Sequence, residues 1–496
     1  MNETKKVQDA RTELKPKAVF EQFAKINSIP RPSKREEKMI EYLRQWGVSH
    51  GLETVVDETG NVLIRKAATP GYENRKTVIL QSHMDMVCDK LVDVEFDFDH
   101  DGIQTYVDGE WLRAKGTTLG ADDGIGCAME LAILEANDIE HGPIECVFTR
   151  DEETGLTGAE GMKSGFMTGD YLINLDSEDE GEMFVSCAGG RTTTATFAIT
   201  REAVGNDSQC GDLFFMRAQL KGLTGGHSGD DINKKRANAI KILARFLFQT
   251  MNRYEGIRLA QFHAGKLHNA IPRDGMFVIA VPNAVKENIK ADWNIFASQV
   301  QDEFHVTDPQ MEWTMESTDA EPLIDADATR RFVWALQAVD NGIYAICQDP
   351  DLGGLVETSS NIASVHTGEN EIIALASQRS NVMSNLDNMC ATIAATFQLA
   401  GAEVCHSDGY PAWKMRPESH LRDTVVSCYR ELFGKDPIVR GIHAGLECGL
   451  FSERYPQLDM ISFGPTLRGV HSPDECLHIP TVQMVWDHLL LVLKRI

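Results

Sequence analysis

The feature that most restricts what this chain can become is how its most apolar short runs end. Thr77-Val78-Ile79-Leu80 leads into Gln81-Ser82-His83-Met84-Asp85, Ile144 to Phe148 leads into Thr149-Arg150-Asp151-Glu152-Glu153, and Leu172-Ile173-Asn174-Leu175 ends on Asp176. Runs of this length and composition read as strands buried on both faces. Charge at the end of such a strand is costly unless it is paired or bound to a cation. In α/β sheets the carboxyl ends of the strands are also where ligands collect. Three strand ends carrying histidine and carboxylates therefore point to a functional site at one sheet edge.

The pattern around these runs predicts the architecture. Residues 17–29 and 33–50 read as amphipathic helices, the second opened by Ser33 and Glu36 at capping-box spacing. Residues 61–64 read as another strand and 124–136 as a helix. Strands alternating with helices predict an α/β fold: a mixed, largely parallel sheet flanked by helices. After Gly189-Gly190 the texture changes to a β-branched alternating strand (191–200) and a long helix (235–251). Residues 191–388 are expected to form an inserted α+β domain, long enough for two small α/β modules. The first domain is then split into 1–190 and 389–496, a division that suits a 496-residue chain too long for one ordinary core. Helices near 389–400 and 420–432 and a strand near 460–463 belong to its second part.

Bulk properties exclude some partners. A formal net charge of −26 disfavours nucleic acid and anionic membrane, both of which need a basic face. No run approaches the roughly 20 apolar residues that span a bilayer. The charged start, residues 1–6, has no apolar core of a secretory signal. Eleven scattered cysteines without a C-x-x-C pair argue for reduced thiols and a cytoplasmic protein.

The acids and histidines combine into one chemistry. In His83-Met84-Asp85 the carboxylate can accept the second ring N–H and orient the imidazole toward a metal. Leu119-Gly120-Ala121-Asp122-Asp123-Gly124 places two carboxylates at a helix start, and Gly469-Val470-His471-Ser472-Pro473-Asp474-Glu475 places a histidine in a turn-rich loop. His83, Asp122, Glu153, Asp176 and His471 make two histidines and three carboxylates. That is a ligand set for two divalent ions, with one carboxylate bridging and one histidine and one further carboxylate on each. Glu152 is left free as a general base. Asp97-Phe98-Asp99-His100-Asp101-Gly102 with Asp108 imitates a calcium loop, but its flank 91–96 alternates like a strand and the last position lacks the usual Glu. An exposed acidic hairpin is expected instead.

The order H-x-D, G-A-D-D, D-E-E-x-G, L-D and a late G-x-x-H-S resembles the co-catalytic zinc peptidases, which include aminoacylases, tripeptidases and carnosinase-type dipeptidases. Gly225-Gly226-His227-Ser228-Gly229 and His268-Asn269-Ala270-Ile271-Pro272 resemble that family's lid motifs. Ser82 to Met86, Gly116 to Asp122, Ser377-Gln378-Arg379-Ser380-Asn381 and His443-Ala444-Gly445-Leu446-Glu447-Cys448-Gly449 are similar to the aminoacyl-histidine, or cytosolic non-specific, dipeptidases. The resemblance runs from about Ala18 to the C-terminus. It implies one metal on His83 and Asp176, the other on Glu153 and His471, and Asp122 bridging. It further implies Asp85 as orienter of His83, Glu152 as base and then acid, and His227 as the group that polarises the scissile carbonyl. Arg379 would hold the substrate carboxylate, with Asn269, Gly445 and Glu447 among the substrate-binding residues. Many relatives carry Lys two residues after the bridging Asp, where this chain has Gly124.

The expected activity is metal-dependent hydrolysis of dipeptides, Xaa-His and other unblocked ones and β-alanyl-histidine among them. A metal-bridged water would attack, with zinc as the metal and cobalt or manganese as substitutes. A tripeptidase, an N-acyl amino acid deacylase and a non-catalytic metal-binding scaffold are the alternatives. The long lid predicts that His227 and Arg379 serve their own subunit, so a homodimer is compatible with the sequence without being required for catalysis.

Overall fold

The apolar runs form strands where their composition predicts, in a computed structural model that describes residues 14–203 and 212–496. The charged segment at residues 1–6 lies outside the described residues. The chain divides into two compact units. One takes the chain up to Ser186 with Trp413–Gly441 and Leu446–Ile496, and the other takes Cys187–Ala412 and Ile442–Gly445.

The sheet of the first unit runs in the order Glu53–Val56, Val62–Lys66, Ile144–Thr149, Val78–His83, Tyr171–Asn174, Asp459–Ser462, Glu182–Cys187, Ile438–Ile442. Its centre, from Ile144–Thr149 to Asp459–Ser462, is parallel. The strands toward Glu53–Val56 and at Glu182–Cys187 are antiparallel. Every residue of Val78–His83 and Ile144–Thr149 is buried, as continuous apolar runs in a covered parallel sheet require. The register sets His83 opposite Thr149 and Gln81 opposite Asn174, so two strands end level and the third ends two residues earlier. The helix Ala121–Glu135 is buried on all sides and packs between Val78–His83 and the helix Lys17–Asn27.

The second unit is built on a nine-stranded antiparallel sheet. Helices Ala239–Arg253, Ala326–Ala338 and Met383–Leu399 cover it, around a core that includes Phe246, Phe277, Trp293, Phe332 and Phe397. No helix among the described residues is long and apolar enough to cross a membrane. The ten described cysteines are free thiols.

Three expectations are corrected. The second unit continues past residue 388 to Ala412, because Met389, Ile393 and Phe397 belong to its core and Glu403–His406 pairs with Gly189–Ala198. The Ser33–Glu36 capping box does not form. Ser33 donates its hydroxyl to Asp85 (2.8 Å), Glu36 is held by Arg150 (2.6 Å), and the helix begins at Glu37. Residues 91–103 hold turns rather than a strand hairpin, with Arg35 paired to Asp99 and Lys38 bonded to the Asp99 carbonyl (2.6 Å).

Phe397→Ala tests the revised boundary. Truncating this fully buried ring should cost about 3–5 kcal/mol. Hydrogen exchange should show the loss in the strands of the second unit and leave Val78–His83 and Ile144–Thr149 protected.

Candidate metal centre

The neighbouring strand ends and two loops bring the predicted acids and histidines of the first unit together. Asp122 lies between the two imidazoles, with Oδ1 3.1 Å from His83 Nε2 and Oδ2 3.2 Å from His471 Nε2. Asp176 approaches His83 Nε2 at 3.9 Å and Glu153 approaches His471 Nε2 at 2.9 Å. His83, Asp122 and Asp176 thus form one half and His471, Asp122 and Glu153 the other, each carboxylate oxygen of Asp122 facing one half. Asp123 turns the other way, its Oδ1 accepting the Gly126 N–H (3.2 Å) within the helix start.

Local backbone aims these groups. Val78–His83 delivers His83 at its last residue, and Asp85 stands 3.3 Å from His83 Nδ1. Asp85 is fully buried; it accepts the Glu152 and Glu153 N–H groups (3.1 and 3.3 Å) and the Ser33 hydroxyl. One carboxylate therefore orients a histidine and anchors the turn that carries two acids. Asp151, just before Glu152, and His471 both take left-handed backbone conformations (φ 49° and 62°) that non-glycine residues adopt reluctantly.

The electrostatics are those of a crowded acidic pocket. Burial opposes the charge on Asp122, but bonds from His471 and His83 hold its carboxyl well below the usual range. Burial pushes Glu152 and Asp176 well above the usual carboxylate range; His83 pulls them down, and the surrounding acids push them further up. Glu153 is raised by burial and by Asp122. His471 is pushed up to about 11 by its bonds to Asp122 and Glu153, and contacts with Asp122 and Asp85 raise His83 in spite of its burial. Imidazole nitrogens and carboxylate oxygens converge, and Glu153 Oε1 is buried without a hydrogen-bond partner. His83, Asp122 and Glu153 offer ligand atoms within 4.8 Å of one another. This donor set fits divalent cations. Glu36, Asp85 and Asp151 also converge, but Arg150, Ser33, the Glu152 and Glu153 amides, Thr154 and Thr157 already satisfy them.

The remaining predicted residues lie elsewhere. In the second unit His227 Nε2 and Arg379 Nη2 are 3.2 Å apart, and Arg379 Nη1 donates to the Tyr410 hydroxyl (2.8 Å). The Asn269 carbonyl accepts the Ser228 N–H (2.8 Å), which sets Asn269 beside the His227 loop. A Cβ at Gly445 would stand 2.6 Å from the Tyr410 ring, so glycine makes room for that ring. His443 donates to or accepts from Ser359 (2.7 Å); burial, with Arg379 adding to it, pushes this imidazole down to about 3. Glu447 is fully buried in the first unit, where it accepts from Gln81 Nε2 (2.6 Å) and Thr149 Oγ1 (2.7 Å) at the strand ends. Burial pushes its carboxyl up to about 7.

Sequence reasoning missed Ser33, Arg31, Tyr410 and Glu475. Their partners lie far along the chain, and the only sequence signal was the adjacency of Glu475 to the His471 loop. Gly124, where relatives carry Lys, has a physical reason here: a Cβ would stand 2.5 Å from Arg31 Nη2, so the buried guanidinium fills that space.

The profile of peptidase family M20/M25/M40 matches residues 79–495. The chain is 40% identical over 488 residues to the cytosol non-specific dipeptidase of Escherichia coli (strain K12), covering 98% of this chain and 99% of that one. The crystal structure of aminoacylhistidine dipeptidase from Vibrio alginolyticus matches with TM-score 0.85 and 41% identity over 98% of each chain. A tripeptidase from Staphylococcus aureus shares the fold at TM-score 0.56 and 16% identity, covering 97% of this chain and 98% of that one.

The raised histidines and acids predict proton-linked metal binding. Burial raises the proton affinity of Glu152 and Asp176, and bonds to neighbouring carboxylates raise that of His471 and His83, so an incoming cation competes with protons for this site. Apparent affinity should therefore rise from about pH 6 to about pH 8, with proton release visible as buffer-dependent heat in titration calorimetry. Heats and affinities independent of buffer and pH would contradict it.

Proposed function

The chain belongs to peptidase family M20/M25/M40, and from that premise we propose that it is a cytosolic metal-dependent dipeptidase acting on unblocked dipeptides, Xaa-His and β-alanyl-histidine among them. The observation that carries this reading is Asp122 held between His83 and His471, with Asp176 and Glu153 completing the two halves and half-buried Glu152 beside them. His83 and Asp176 would hold one divalent ion, Glu153 and His471 the other, and Asp122 both. When bound, two zinc ions, with cobalt or manganese as substitutes, supply the positive charge that acidifies the attacking water and polarises the peptide carbonyl.

The protein's own groups do the rest. Glu152 takes the proton of the attacking water and passes it to the leaving nitrogen as the C–N bond breaks. Its environment suits this, because burial and neighbouring acids raise its affinity for the proton it must hold between the two transfers. Asp85 keeps His83 oriented and, through the two backbone amides, keeps Glu152 and Glu153 in place. We assign His227 the role of donor to the oxyanion that develops on the carbonyl oxygen. We assign Arg379 the substrate's terminal carboxylate, since its planar fork matches two oxygens and Tyr410 fixes its orientation. A carboxylate clamp of this kind measures substrate length and favours dipeptides over longer peptides.

Dipeptide hydrolysis by metal-stripped and zinc- or cobalt-reloaded protein tests the reading. Glu152→Gln should lower kcat by about 10²–10⁴-fold while metal content stays unchanged. His227→Ala should cost about 10²–10³-fold in kcat. Arg379→Ala should act on KM, with kcat/KM falling by about 30-fold or more, the equivalent of about 2 kcal/mol. Turnover per chain should persist on dilution to monomers. Reloaded protein that cuts acyl-amino acids but no dipeptide would move the assignment to the deacylases.

A further inference from the structure

We propose that Arg31 and Glu475, neither of them a metal ligand, are a pair of positioning residues that hold the Asp122 loop in the geometry that receives the cations; the inference rests on the metal-centre reading above. Glu475 is 2% exposed and spends its whole carboxylate on the backbone of that loop. Oε2 accepts the N–H groups of Leu119 (2.7 Å) and Gly120 (3.0 Å), and Oε1 those of Ala121 (2.8 Å) and Asp122 (3.4 Å). Arg31 is 1% exposed and is bonded to backbone carbonyls. Its Nη1 donates to Met84 (3.1 Å) and Asp85 (2.7 Å), and its Nη2 donates to Gly120.

The two charges grip the same stretch with opposite polarity. The Gly120 N–H is held by Glu475 and the Gly120 carbonyl by Arg31. Each also ties the loop to another ligand-bearing segment. Arg31 joins it to the turn that carries His83 and Asp85. Glu475, whose own N–H donates to the Ser472 carbonyl (3.0 Å), joins it to the turn that carries His471. Three segments that are remote in sequence are thereby held in register at Asp122, whose two oxygens must face two imidazoles at once. The cleared space points the same way: a Cβ at Gly120 or at Gly124 would each stand 2.5 Å from Arg31 Nη2. Buried charges bonded to backbone cost desolvation without adding a reacting group, so their effect is on where Asp122 sits.

The test uses the full chain, stripped of metal and titrated with zinc against a competing chelator, with cobalt absorbance as a report of ligand geometry. Wild type is compared with Glu475→Ala, Glu475→Gln, Arg31→Met and Arg31→Lys. Glu475→Ala and Arg31→Met should weaken zinc binding by about 10–100-fold, shift the cobalt spectrum and lower kcat with KM for a dipeptide little changed. The conservative Gln and Lys variants should fall between these and wild type. A role confined to stability would lower the melting temperature of the metal-free protein while the folded fraction bound zinc as wild type does; that result would overturn the proposal. If the Ala and Met variants do not fold, wild-type zinc affinity in both Glu475→Gln and Arg31→Lys overturns it equally. Wild-type protein that bound no zinc would instead bring down the metal-centre reading and this inference with it.

Discussion

The first unit is organised around a concentration of negative charge that a protein interior does not tolerate by itself. Asp122, Glu152, Glu153 and Asp176 share one pocket, and two imidazoles are the basic groups among them. Such a group either takes up protons or is neutralised by cations. Its members respond unequally: bonds from both histidines pull the Asp122 carboxyl down, while burial pushes those of Glu152 and Asp176 up. That inequality separates a ligand shared by two cations from an acid able to carry a proton. Much of the first unit can be understood as the means of keeping these groups close.

The means are backbone bonds to buried charges. Asp85 takes the amides of the Glu152 turn, Glu475 takes those of the Asp122 loop, and Arg31 takes the carbonyls of the adjoining segments. Below them Gln81, Thr149 and Glu447 link the neighbouring strand ends, and Asn174 Nδ2 donates to Gln81 (2.7 Å). Side chains that touch no reacting atom thus set the distances on which the reaction depends. The parallel register beneath them supplies the common edge.

The second unit is built differently. A broad antiparallel sheet with an aromatic core carries one polar cluster of His227, Arg379, Tyr410, His443 and Ser359. Arg379 is bonded to the Tyr410 phenol and lies against the His227 ring, and His443 is bonded to Ser359. Among the described residues no ion pair joins Arg379 to a carboxylate, so its guanidinium retains its attraction for an anionic ligand.

By itself the sequence determined the α/β class, the strands that end on charge and the residue types able to hold two cations, because apolar runs and the acids that follow them are local features. The boundary of the second unit was less legible. Residues 383–399 are an amphipathic helix wherever they pack, and only the core they enter assigns them to one unit. Ser33 had the spacing of a cap and became a partner of Asp85; Glu447 stood beside a glycine-rich loop and turned inward. Tertiary structure alone decided that Gly124 is small because Arg31 lies against it, and that Glu475 binds a loop more than 350 residues earlier in the chain. The physical reason is range. Propensity and periodicity act over a few residues, whereas a buried charge is satisfied by whichever backbone the fold brings to it.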